Sequence, residues 1–145
     1  MSAGESEPQD WIEVHHRVIY GDTDAMGVVY YGNYMRFLEL ARGSLMRRLG
    51  VPYREVEERG FVIPVAEVGV KYIRPARYDD EIVIKIRVER LTGASIRFAY
   101  RIHRQEDDLL LATGFTRHAV IDGKTNRVVR IPDDLIEVLG GQKRG

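Results

Sequence analysis

Hydrophobic and polar residues change rhythm twice along this chain. From Trp11 to Tyr20 (WIEVHHRVIY) they alternate, with Ile12, Val14, His16 and Val18 on one face, and the β-branched and aromatic content predicts a strand. The GDTDAMG segment that follows concentrates turn-forming residues and predicts a loop. From Asn33 the period lengthens. Tyr34, Phe37, Leu38, Ala41, Leu45 and Leu49 fall on one stripe of an α-helix, while Arg36, Glu39, Arg42 and Arg47 lie mostly off it. Asn33 is the expected N-cap, and Gly50 followed by Pro52 the expected stop.

After a polar connection, Arg54–Gly60, alternation returns. Phe61–Ile73 predicts one long strand with Pro64 at an edge or bulge. Ile82, Ile84, Ile86 and Val88 mark the next strand, and Ile96, Phe98, Tyr100 and Ile102 another beyond the Thr92–Gly93–Ala94 turn. Leu109–Ile121 predicts the last long strand, and Asp122–Gly123 a tight turn into a short amphipathic finish around Pro132–Leu139. Links this short imply antiparallel neighbours. The expectation is an α+β domain over residues 11–139, with a curved antiparallel sheet of about five strands wrapped around one long helix. Residues 1–10 and 140–145 are expected to be flexible tails.

Composition narrows the functional classes. The 145 residues are 44% hydrophobic and 30% charged, which argues for a packed domain and against a wholly disordered chain. Lys+Arg and Asp+Glu are both 22, so no broad electrostatic case exists for a nucleic-acid or membrane-surface partner. The absence of cysteine excludes disulfides, thiol nucleophiles and Cys-ligated metals, and four scattered histidines make no convincing zinc set. No apolar run approaches the ~20 residues that cross a bilayer. The polar, acidic start MSAGESEPQD is not a signal-peptide pattern. A soluble, cytoplasmic chain without a bound metal is the expectation.

The densest candidate chemistry is YGDTDAMGVVYYGNY, Tyr20–Tyr34. Asp22 and Asp24 lie in a Gly-bearing loop directly before a helix N-terminus, where free N–H groups and the helix dipole stabilise an anionic oxygen. A carboxylate beside such donors is the minimum apparatus for attacking or hydrating a carbonyl. Both residues also suit ordinary turn and capping roles.

The segment RVIYGDTDAMGVVYYGNYMRFLELAR resembles the signature of the 4-hydroxybenzoyl-CoA thioesterase family, hotdog-fold enzymes that hydrolyse acyl-CoA thioesters. ERGFVIPVAEVGVKYIRPARYDDEIVI extends the resemblance, which is closest to the bacterial acyl-CoA thioesterase branch and spans about Val14–Ile121. The resemblance implies that Asp24 is the nucleophile or general base and that the backbone N–H of Tyr31 is the oxyanion donor. That branch often has His at the latter position, so only the backbone role carries over to Tyr31. Tyr20 matches a tyrosine of the motif; with Gly27 and Tyr30 it is a candidate substrate-binding residue, and Asp22 is expected to stiffen the loop. Arg90, beside the Thr92–Gly93 turn, is the candidate contact to CoA phosphates, although a second basic neighbour is missing. No cofactor is implied, because a thioester is already an activated acyl group. A homodimer or homotetramer with sites at the subunit boundary is implied as well.

Other residues allow two readings. Glu67 interrupts an apolar strand and is expected on the outer face of the sheet, the alternative being a carboxylate that reaches a site across a subunit boundary. His103 and His118 are expected at the surface. Arg74 and Arg77, around Pro75, read equally as phosphate contacts or loop charges. A hotdog hydratase needs a His paired with an acid, and the helix region holds none. A hotdog module that binds acyl-CoA or a protein without catalysis is the remaining alternative.

Overall fold

The computed structural model describes residues 11–144. In chain order the elements are β1 (Ile12–Arg17), α1 (Tyr34–Arg48), α2 (Tyr53–Glu58), β2 (Phe61–Val62), β3 (Val65–Tyr72), β4 (Glu81–Leu91), β5 (Ile96–Arg104), β6 (Leu110–His118), β7 (Val120–Asp122), β8 (Arg127–Val129) and α3 (Asp133–Arg144). Five strands form one antiparallel sheet in the order β1-β4-β5-β6-β3, and β2, β7 and β8 form a smaller one. The expected α+β layout is present.

Helix α1 buries Tyr34, Phe37, Leu38, Ala41, Leu45 and Met46. These pack with Ile82, Ile84, Ile86, Val88, Ile96, Phe98, Tyr100 and Ile102 in one core. The apolar alternation of β4 and β5 thus faces the helical stripe, and burial of this area is the main stabilising term. Gly50 stops the helix as expected: it takes φ +82°, and the Val51 N–H returns to the Met46 carbonyl at 2.9 Å. Asn33 does not cap through its side chain; its amide donates instead to the Asp22 carbonyl at 2.7 Å.

Several expected boundaries change. The long strands expected at Phe61–Ile73 and Leu109–Ile121 both break, between β2 and β3 and between β6 and β7, and their ends cross together into the second sheet. Pro64, which has no N–H to offer a ladder, lies at the first break. His118 fills the gap, its ring Nδ1 lying 3.4 Å from the Ile63 carbonyl. The polar connection after Pro52 contains α2, which docks through Val56. At the C-terminal end α3 runs to Arg144, so the segment expected as a tail from residue 140 continues a helix whose Leu135 and Leu139 join the core. Residues 1–10 and Gly145, called tails from sequence, lie outside the described residues. Among the described residues no helix is long and apolar enough to cross a membrane.

Candidate active site

The loop between β1 and α1 is a small hairpin tied at both sides. Thr23 bridges Val29, the Asp24 N–H donates to the Val28 carbonyl at 2.9 Å, and the Tyr30 N–H donates to the Asp22 carbonyl at 3.1 Å. The Gly27 N–H closes the turn on the Asp24 carbonyl at 3.1 Å. Gly27 itself sits at φ +80°, a conformation that favours glycine. Bonds from Val29 to Ala76, from Tyr78 to Gly27 and between Val18 and Asp79–Asp80 fasten the hairpin to the turn before β4.

The two carboxylates of this loop have separate environments. Asp22 is fully buried. Its carboxylate accepts from the Ile19 N–H at 3.0 Å and the Arg36 guanidinium, and lies 2.9 Å from the His16 Nε2. Burial pushes its carboxyl up, but the Ile19 N–H, His16 and Arg36 together outweigh that and hold it below the ordinary carboxylate value. Asp24 is exposed. Its Oδ1 accepts from the Met26 N–H at 2.8 Å and the Val28 N–H at 3.4 Å, an Asx turn that fixes the carboxylate plane. Its Oδ2 accepts no hydrogen bond among the described residues.

A single turn, Tyr31–Asn33, leads into α1, and among the described residues the Tyr31 N–H has no acceptor. The Asn33 N–H donates to the Tyr30 carbonyl at 2.9 Å, which holds the peptide unit carrying that free N–H. The loop and its neighbours carry exposed aromatic rings. Tyr20 stacks on Tyr78 with centroids 4.0 Å apart, Tyr30 covers Gly32, and Tyr31 lies 4.8 Å from Tyr72 of β3. Tyr20, Asp24, Gly27, Tyr30 and Tyr31 thus share one loop. Arg90 does not join them within one chain. It is exposed near the far end of β4, nine residues beyond Glu81, or about 30 Å along an extended strand.

The structure also places Glu67, His103 and His118. Glu67 lies on edge strand β3 and pairs with Arg117 of β6 at 3.1 Å, on an exposed part of the sheet. His103 and His118, expected at the surface, are 8% and 1% exposed. His118 ends a buried polar chain. Arg42 donates to the Tyr100 hydroxyl at 3.2 Å, Tyr100 lies 2.6 Å from the Thr116 hydroxyl, and Thr116 lies 2.9 Å from the His118 Nε2. The Ile63 carbonyl only accepts, so Nδ1 carries the hydrogen, Nε2 of the neutral ring accepts from the Thr116 hydroxyl, and Thr116 accepts from the Tyr100 hydroxyl. Burial and the Arg42 charge drop the His118 pKa to about 4, leaving a neutral imidazole. Burial pushes the Tyr53 phenol up to about 12, against the opposing pull of the Arg42 charge. Among the described residues no cluster of His, Cys, Asp or Glu could hold a metal ion.

A sequence model described as the thioesterase-like superfamily matches residues 12–139. The acyl-CoA thioesterase YbgC of Haemophilus influenzae is 32% identical over 120 residues, covering 82% of this chain and 87% of that protein. Among solved structures, the hypothetical protein TT1821 from Thermus thermophilus is 38% identical with a TM-score of 0.84, covering 90% of this chain and 98% of the other. The DHNA-CoA thioesterase from Staphylococcus aureus has a TM-score of 0.87 at 28% identity, covering 92% and 91%. With α1 packed against a five-stranded antiparallel sheet, these matches identify the hotdog fold. The chain belongs to the thioesterase-like superfamily.

Proposed function

We propose that this protein hydrolyses acyl-CoA thioesters, as a homodimer or homotetramer of the bacterial acyl-CoA thioesterase branch, in the cytoplasm. The observation that carries the reading is the division between the two loop carboxylates: Asp22 is buried and engaged, whereas Asp24 is exposed with one oxygen open. The thioester carbonyl oxygen accepts from the Tyr31 N–H, which disperses negative charge as the tetrahedral centre forms. Asp24 either takes a proton from water as that water attacks the carbonyl carbon, or attacks directly to give an acyl-Asp anhydride that water then cleaves. In both routes the carbon–sulfur bond breaks, CoA leaves as the thiolate, and the free acid is the product. Neither route requires a metal or cofactor. Tyr20, Gly27 and Tyr30, on the same loop, are the proposed substrate-binding residues, Gly27 through the shape of its turn.

Strand β3 supports the assembly. It is a sheet edge that exposes Val65, Val68 and Tyr72, with Ile73 just beyond, alongside Lys71 and a Glu67 paired with Arg117, whereas the other edge, β1, exposes only Glu13, His15 and Arg17. An uncovered apolar edge invites strand pairing, and charges oppose it. Joining two copies along β3 would let Arg90 meet CoA phosphates across the subunit boundary. The test is thiol release from a panel of CoA thioesters, from acetyl to palmitoyl together with benzoyl, hydroxybenzoyl and phenylacetyl. Release far above the uncatalysed rate supports the reading and names the acyl class. No release from any member overturns it, and binding without release would point to a non-catalytic acyl-CoA module.

A further inference from the structure

We infer that Tyr72, on the edge strand β3, is a positioning residue for the backbone of Tyr31. This inference rests on the oxyanion role proposed above for the Tyr31 N–H. The Tyr72 hydroxyl donates to the Tyr31 carbonyl at 3.3 Å. The same carbonyl accepts from the Tyr34 N–H of the turn, so both of its lone pairs are engaged. The preceding carbonyl, of Tyr30, is held by the Asn33 N–H. The two peptide planes that meet at the Tyr31 Cα are therefore each anchored at the oxygen, and rotation about the Tyr31 backbone, which aims its N–H, is restrained on both sides.

The Tyr72 anchor comes from outside the loop. Tyr72 pairs with Ala112 of β6, and its ring packs edge-on against Tyr34, 5.0 Å away at 82°. Tyr34 is almost completely buried and opens α1. The phenol is thus carried on the sheet and braced by the core, while its oxygen reaches the turn. Other bonds on this stretch come from Asp22, Tyr30 and Asn33 within the loop and from Ala76 in the turn before β4. Among the described residues, Tyr72 is the one hydrogen-bond tie from the turn to β3, the strand along which the proposed dimer forms. Catalysis that depends on a fixed donor is sensitive to displacements well under an ångström.

Tyr72→Phe keeps the ring and removes the oxygen. Expected is a fall of roughly 10-fold in kcat with KM within about twofold of wild type, less than the loss on deleting an oxyanion donor outright. Thermal unfolding and oligomeric state should match wild type. Asp24→Asn, assayed beside it, separates this inference from the reading beneath it. If Asp24→Asn is inactive and Tyr72→Phe loses kcat alone, the inference stands. If Asp24→Asn is inactive while Tyr72→Phe turns over at the wild-type rate, or loses stability, KM and assembly together, the positioning role is overturned and the thioesterase reading survives. If Asp24→Asn turns over normally, the reading fails and takes the inference with it.

Discussion

Two aspartates two residues apart show how far environment divides one side-chain type. Asp22 has no solvent exposure and three donors on its carboxylate; Asp24 has solvent, two N–H groups on one oxygen and none on the other. Asp22→Asn leaves His16 and Arg36 facing a neutral amide. Because Arg36 is half-exposed and regains water, the expected loss is about 2 kcal/mol in a denaturant titration, below that of breaking a fully buried pair. His118 makes the pH-dependent counterpart. Its pKa falls from 6.5 to about 4 on folding, so the unfolded chain binds a proton that the native chain refuses. Stability from this residue is full above pH 6.5 and declines as the pH drops toward 4, by about 3 kcal/mol in total. Denaturant titrations across that window should show the decline in wild type and a flatter profile in His118→Gln. An equally steep profile in the variant would place the acid sensitivity elsewhere.

Helix α1, β4 and β5 were legible because each buries a periodic face, Phe37, Leu38, Ala41 and Leu45 at helical spacing and Ile82 to Ile102 at period two, and β1 because its alternate residues are half-buried. Strand β6 was legible as a strand, but its core face was not, for a physical reason. The face it turns toward Tyr100 carries Ala112, Gly114, Thr116 and His118, small or polar residues that make room for the tyrosine ring and its hydrogen-bonded chain. Phe115, on the other parity, looks more like a core residue than these do, and Leu111, buried in the core near a register shift, breaks the alternation. His16 was in phase with Ile12, Val14 and Val18, so a polar group at a core-facing position was readable; its engagement with Asp22 was not, because Asp22 and Arg36 meet it only through the fold. Tyr72 and Tyr78 had no sequence signal, since their contacts with Tyr31 and Tyr20 span about forty and about sixty residues. Within the loop, Gly27 is the element-level test. Its φ of +80° is strained for any other side chain although space is open, so Gly27→Ala should cost about 1 kcal/mol. It should also reduce turnover by tilting Asp24; unchanged stability and turnover would show that the turn relaxes freely.

At the scale of the molecule, one long helix packed on the sheet leaves its candidate chemistry at the helix start, beside an edge strand that exposes Val65, Val68 and Tyr72. Light scattering at micromolar concentration should therefore report a dimer or a larger even assembly, and a monomer would remove the basis for a site completed between subunits. The central claim, that Asp24 drives thioester hydrolysis, is tested most directly by comparing kcat for wild type and Asp24→Asn on the best CoA thioester, with the fold of both checked by circular dichroism. The account predicts a loss on the order of 10²-fold or more with the fold intact. Wild-type turnover in a folded Asp24→Asn variant would contradict it.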